Sequence, residues 1–121
     1  MNWITVLIVA VVLTIVLLLK RCGQISSKDA SAHLKKGALL IDVRSEAEFS
    51  SGHLPNAINI PLGEIESTLP HQVKDKNQVL LLHCQAGGRS SQARKKLIEL
   101  GYLNAFNLGS YSRAAQIVTG K

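Results

Sequence analysis

The stretch His83-Cys84-Gln85-Ala86-Gly87-Gly88-Arg89-Ser90 places a cysteine after an aliphatic run and before two glycines, an arginine and a serine. The mouth of a strand is where α/β proteins present reactive groups. Unpaired N–H groups of the Gln85–Arg89 loop, and of a helix starting at Ser90, can converge there on one point. Gly87 and Gly88 let the backbone take dihedrals closed to other residues. Such a cradle holds an anion, and the natural anion is the sulfur of Cys84 or of something bonded to it. Helix N-termini and a nearby arginine draw a thiol from about 8.5 to roughly 3.5–7.5, leaving a nucleophilic thiolate at neutral pH. The alternative is a buried structural cysteine behind an ordinary glycine turn. Cysteine, glycines, arginine and helix start coincide, which argues against it.

The elements that must position this loop alternate in type. Ser26 or Ser27 can cap a short helix through Lys36, with Asp29 in its first turn and Gly37 closing it. Ala38–Val43 is a continuous apolar run, the mark of a strand buried on both faces. One helical turn over Glu46–Ser50 follows, then a strand over Ala57–Ile60 and a helix over Leu62–Leu69 stopped by Pro70. Val79–His83 is the third strand, and Ser90–Leu100 an amphipathic helix with Ala93, Leu97 and Leu100 on one face. Asn104–Leu108 and Tyr111–Val118 complete the pattern as a fourth strand and a last helix. Strands alternating with helices at these lengths imply parallel pairing with right-handed crossovers, a three-layer α/β domain.

Ahead of this domain, Trp3–Leu19 carries no charge and only Thr5 and Thr14 as polar residues. As a helix it reaches roughly 25 Å, short of the ~30 Å hydrocarbon core but workable with slight thinning. Lys20-Arg21 follow it where a signal peptide would place small residues, so the expectation is an uncleaved transmembrane anchor over residues 1–21 and a domain over 22–121. Cations after the span place the domain in the cytoplasm by the positive-inside rule. The net charge of +6 falls to +4 once Lys20 and Arg21 are set aside, and it is scattered with few aromatics beside it. That pattern argues for solvated helix faces and against a nucleic-acid surface. Cys22 and Cys84 are isolated, so no cluster has metal-ligand spacing.

His-Cys-Gln-Ala-Gly-Gly-Arg-Ser resembles the active-site loop of the rhodanese (sulfurtransferase) superfamily, Cys-x-x-Gly-x-Arg, through Cys84, Gly87 and Arg89. A second signature, Leu39–Leu62, is similar to the family's upstream segment at Asp42, Val43, Arg44, Glu48, Phe49, Gly52, His53, Pro55, Ala57, Asn59 and Pro61. The match covers about Gln24 to Gly109 and looks most like the small single-domain, membrane-anchored branch related to phage shock protein E. That branch includes periplasmic members, the alternative to a cytoplasmic domain. Two departures stand out: Asn56 replaces a usual Gly, and Gly109-Ser110 replaces a usual Gly-Gly with no Trp nearby.

The resemblance implies that the Cys84 thiolate takes a sulfane sulfur from thiosulfate or a persulfide. It then passes that sulfur to a thiol, cyanide or a protein acceptor, with no cofactor or metal. Gln85, Ala86, Gly87, Gly88, Arg89 and Ser90 would bind the terminal sulfur or the donor, Arg89 equally well bracing the loop. Arg44 is a further candidate for touching substrate, although its i,i+4 spacing to Glu48 suits a structural ion pair. His83 suits a backbone contact, a general base being the alternative, and His53 shapes a turn. Two rivals remain. One is a persulfide carrier or docking module without turnover. The other is a cysteine-dependent phosphatase, whose Cys-to-Arg loop on this fold is one residue longer.

Overall fold

The protein is described by a computed structural model over residues 2–21 and 24–120. The elements are α1 (Trp3–Arg21), α2 (Ser27–Lys35), β1 (Leu39–Asp42), α3 (Glu46–Ser50), β2 (Ile58–Asn59), α4 (Ile65–Gln72), β3 (Leu80–His83), α5 (Gly88–Glu99), β4 (Ala105–Gly109) and α6 (Tyr111–Thr119). A short 3-10 turn, Leu62–Glu64, leads into α4. Cys22 lies outside the described residues.

The strands form one parallel sheet in the order β2-β1-β3-β4. Successive strand side chains point to opposite faces, and the core divides accordingly. Ile41, Val43, Leu80, Leu82 and Cys84 pack on one face against Ile65 and Leu69 of α4 and Ala93 and Leu97 of α5. Leu40, Leu81 and Leu108 pack on the other against Ala30 of α2 and Ala114 and Ile117 of α6. This is the expected three-layer arrangement, with β1 and β3 covered on both sides. Each fully buried Leu or Ile contributes about 1.5–3 kcal/mol relative to exposure. The register of β3 on β4 shifts between Leu82 and His83, so that His83 pairs with Gly109. Irregularities of this kind recur beside active sites, where they re-aim side chains.

Helix ends follow local chemistry. Ser26 caps α2 by accepting the Asp29 N–H. Ser45 and Glu48 form a reciprocal capping box on α3. The expectation that Pro70 stops its helix is corrected, because α4 runs through it to Gln72. A proline removes one backbone donor; fully buried Ile65 and Leu69 hold the short helix regardless. Asn56 takes the place of the usual glycine at φ 63°, a left-handed position that asparagine tolerates.

The transmembrane expectation also changes. α1 is helical for 19 residues, but among the described residues no helix is long and apolar enough to cross a membrane. Its described large hydrophobic side chains are exposed, between 41% at Val16 and 71% at Trp3. α1 is thus an apolar helix whose described side chains lie outside the core of the domain.

Candidate active site

β3 delivers Cys84 to the carboxyl edge of the sheet with its side chain on the α5 face. The residue is 1% exposed. Its Sγ accepts the Gly87 N–H at 2.9 Å, and the Ser90 hydroxyl lies 3.6 Å away. Burial is the largest influence on this thiol and pushes it up. The Ser90 hydroxyl and the N–H groups of Ser90, Gly87 and Ala86 together outweigh burial and hold it below its ordinary value. The cradle expected from the glycines therefore exists, with one adjustment. α5 begins at Gly88 rather than Ser90, so Arg89 and Ser90 belong to its first turn. Only Gly87, at φ 100°, needs the freedom of glycine; Gly88 is helical.

The loop is braced by the end of β4 and the start of α6. The Cys84 N–H donates to the Gly109 carbonyl at 3.3 Å, and the Tyr111 N–H to the Gln85 carbonyl at 3.2 Å. Ala86 pairs with Ser110. Behind the sulfur, Asn107 Oδ1 accepts the Ser90 hydroxyl at 2.7 Å and the Gly109 N–H at 2.8 Å. Asn107 went unrecognised in the sequence, where it reads as one polar residue in a strand. Its signal is that β4 places it on the same face as the sulfur-bearing loop.

Arg89 lies across from α3, where its guanidinium donates to both carboxylate oxygens of Glu48, at 2.6 and 3.0 Å. Hydrogen bonding from Arg89, then from Ser45, lowers the Glu48 carboxyl to about 2. The Arg89 guanidinium is raised above its ordinary value, first by its bonds to Glu48 and to a smaller extent by the Cys84 sulfur. The expected Arg44–Glu48 pair is replaced by this one.

Arg44 instead donates through Nε and Nη2 to the Asp42 carboxylate and through Nη2 to the Gly52 carbonyl at 2.7 Å, with Tyr111 4.8 Å from its guanidinium carbon. It is 5% exposed and lies on the α6 face of the sheet, not the face of the sulfur. In the structure Arg44 braces the end of β1. His83 shares that opposite face, edge-on to Tyr111. Its Nδ1 lies 3.3 Å from the Cys84 carbonyl and its Nε2 3.7 Å from Asp42. Burial, the leading cause, holds it below its ordinary pKa. Strand alternation puts His83 and Cys84 on opposite faces, so His83 is no base for the thiol. His53 stacks on Phe49 and bonds its carbonyl, shaping the turn as expected.

A buried thiol lowered by hydroxyl and N–H donors thus stands at the carboxyl edge of the parallel sheet of an α/β protein. Residues 26–115 match the family described as Rhodanese-like domain, and the chain belongs to that family. It is 41% identical over 69 residues to "Thiosulfate sulfurtransferase PspE" of Escherichia coli, covering 57% of this chain and 66% of that one, just under two thirds. A "Sulfurtransferase" of Allochromatium vinosum is 33% identical over 88 residues, covering 71% of this chain and 80% of the relative. The solved structure of the human single-domain sulfurtransferase TSTD1 superposes with a TM-score of 0.66 at 30% identity, over 78% of this chain and 96% of that one. Family and relatives support sulfurtransferase activity.

Proposed function

We propose that the protein transfers sulfane sulfur through a persulfide on Cys84. The observation that carries this reading is the buried thiol drawn below its ordinary value by N–H and hydroxyl donors. The Cys84 thiolate attacks the outer sulfur of thiosulfate or of a persulfide, and the old S–S bond breaks with its electron pair on the departing sulfite or thiolate. The charge on the new terminal sulfur is held by the N–H groups of the loop, as an oxyanion would be. A thiol, cyanide or protein cysteine then attacks that sulfur and releases the Cys84 thiolate. Two separate half-reactions give ping-pong kinetics.

The six residues from Cys84 to Arg89 make a tighter cradle than a phosphatase loop. Asp42 is fully buried and paired with Arg44 on the opposite face, and Glu48 is bound by Arg89 and lowered to about 2, so neither carboxylate is a general acid for that loop. These points disfavour phosphate ester hydrolysis. The test is the intact mass of the full-length protein after thiosulfate. One added sulfur on Cys84, removed by cyanide and absent in Cys84→Ser, is expected. Sulfur on Cys22, or none from several donors, overturns the proposal. Loading without turnover would mark a carrier.

The second part of the proposal is membrane association through α1, on the strength of its exposed apolar side chains. Cations follow the apolar run, which favours a cytoplasmic domain over a periplasmic one.

A further inference from the structure

The Ser90 hydroxyl has one proton and three acceptors within reach: Asn107 Oδ1 at 2.7 Å, the Gly87 carbonyl at 3.1 Å and Cys84 Sγ at 3.6 Å. Asn107 Oδ1 is fixed as an acceptor, because it also takes the Gly109 N–H at 2.8 Å. The Gly87 carbonyl already takes the Ser91 N–H at 3.1 Å and lies 3.4 Å from Asn107 Nδ2, so it competes weakly for the hydroxyl. Ser90 is fully buried and Asn107 nearly so, leaving no room for water to substitute freely. Distance assigns the hydroxyl proton to Asn107 while Cys84 is a thiol. A sulfur anion is a stronger acceptor than a neutral amide carbonyl, and a hydroxyl rotates without moving any heavy atom. When the proton turns toward sulfur, Asn107 keeps the Gly109 N–H and no buried acceptor is left unpaired.

We propose that Asn107 is a positioning residue that parks the Ser90 hydroxyl while Cys84 is a thiol and releases it to the sulfur when a thiolate or persulfide anion forms. It touches no reacting atom and acts only through Ser90. The inference rests on Cys84 being the reacting group, but its test reads the thiol directly and is independent of whether sulfur is transferred.

The charged groups around the thiol are Arg89, paired with Glu48, on its own face, and Asp42, Arg44, His83 and Tyr111 behind the sheet. None of these is altered in the variants. The measurement is the pH dependence of Cys84 alkylation in the full-length protein, with Cys22 replaced by Ser in every variant. Ser90→Ala, losing a hydrogen bond to a charged acceptor, should slow alkylation below neutral pH roughly tenfold. Asn107→Leu, removing the competing acceptor, should speed it about two- to fivefold, a shift of a few tenths of a pH unit. In the Ser90→Ala background Asn107→Leu should change nothing. If Asn107→Leu fails to fold, Asn107→Asp decides: a stronger acceptor should slow alkylation, and more so with Ser90 present than absent. Slower alkylation in Asn107→Leu, or equal effects of either substitution with and without Ser90, overturns the proposal. A residue that merely braces the loop would give such equal effects.

Discussion

Burial disfavours a thiolate, so an enclosed cysteine is ordinarily neutral. Cys84 is drawn below its ordinary value because its neighbours are donors whose positions are set by backbone geometry, and the most demanding is Gly87. At φ 100° this residue turns its N–H onto the sulfur. A Cβ there would meet Gly109 Cα and carbonyl carbon at 3.4 Å, which is ordinary contact, so the obstacle to a side chain is the dihedral and not space. Gly88 is helical with nothing within 4 Å of its Cβ position. The two neighbours should therefore answer differently to the same change. Gly87→Ala forces a left-handed alanine at a cost of about 1–2 kcal/mol, which lowers Tm by several degrees for a domain of this size. It should also cut the rate of Cys84 sulfur loading at least tenfold, since the N–H moves off the sulfur. Gly88→Ala should raise Tm slightly, by the gain in helix propensity, and leave loading within about twofold. Thermal melts and rapid-quench loading with thiosulfate check both, and equal losses in the two variants would refute the distinction.

Between elements, the tie that matters is Glu48 of α3 to Arg89 of α5. Glu48 has two tasks, since it also closes the capping box with Ser45. Glu48→Gln separates them, because glutamine serves a capping box as well as glutamate does. Both partners are more than a third exposed, and such pairs contribute little to stability, so Tm should hardly move. What changes is the charge at the mouth: Arg89 is no longer neutralised. The KM for thiosulfate should fall severalfold at low salt, and the gain should shrink as ionic strength rises; a KM that rises or ignores salt would show that Glu48 does not mask Arg89. The sign with pH is also set. Glu48 is lowered from 4.5 to about 2 in the fold. Its small stabilising effect is complete above the unfolded pKa and is lost as pH falls toward about 2.

Much of this site was legible in advance. The apolar runs at Ala38–Val43 and Val79–His83 contain β1 and β3, and the helix turn at Glu46–Ser50 stands where its pattern put it. The N–H cradle around Cys84 was expected from Gly87, Gly88 and a helix start at Ser90, which the structure moves to Gly88. Arg44 and Glu48 were misassigned because i,i+4 spacing describes a continuous helix, and Arg44 precedes the Ser45 cap. Strand alternation was the better guide there: counting by twos from Leu80 puts Cys84 on one face, and from Leu81 puts His83 on the other. Asn107 depends on β4 lying beside β3, a long-range pairing no local pattern carries.

For the whole molecule the open issue is where α1 places the domain. Exposing large apolar side chains along a helix, from Trp3 to Leu18, is costly in water. A bilayer removes that cost whether the helix crosses or only enters. Lys20, Arg21 and Lys28 follow the apolar run, and translocating such cations is unfavourable, so the domain should stay on the side from which the helix inserts. On that argument the protein remains with membranes after a carbonate wash, while a chain with Leu7, Val11 and Leu18 changed to Lys is released. Alkaline phosphatase and a fluorescent protein, fused separately after Lys121, report the side. A bright fluorescent fusion with an inactive phosphatase is expected, and the reverse pattern would place Cys84 outside the cytoplasm. Exchanging Lys20 and Arg21 for Gln should weaken the bias toward either outcome if these cations set it. A location in the cytoplasm would also keep Cys84 reduced between turnovers, so the same measurement bears on which acceptors can reach the persulfide.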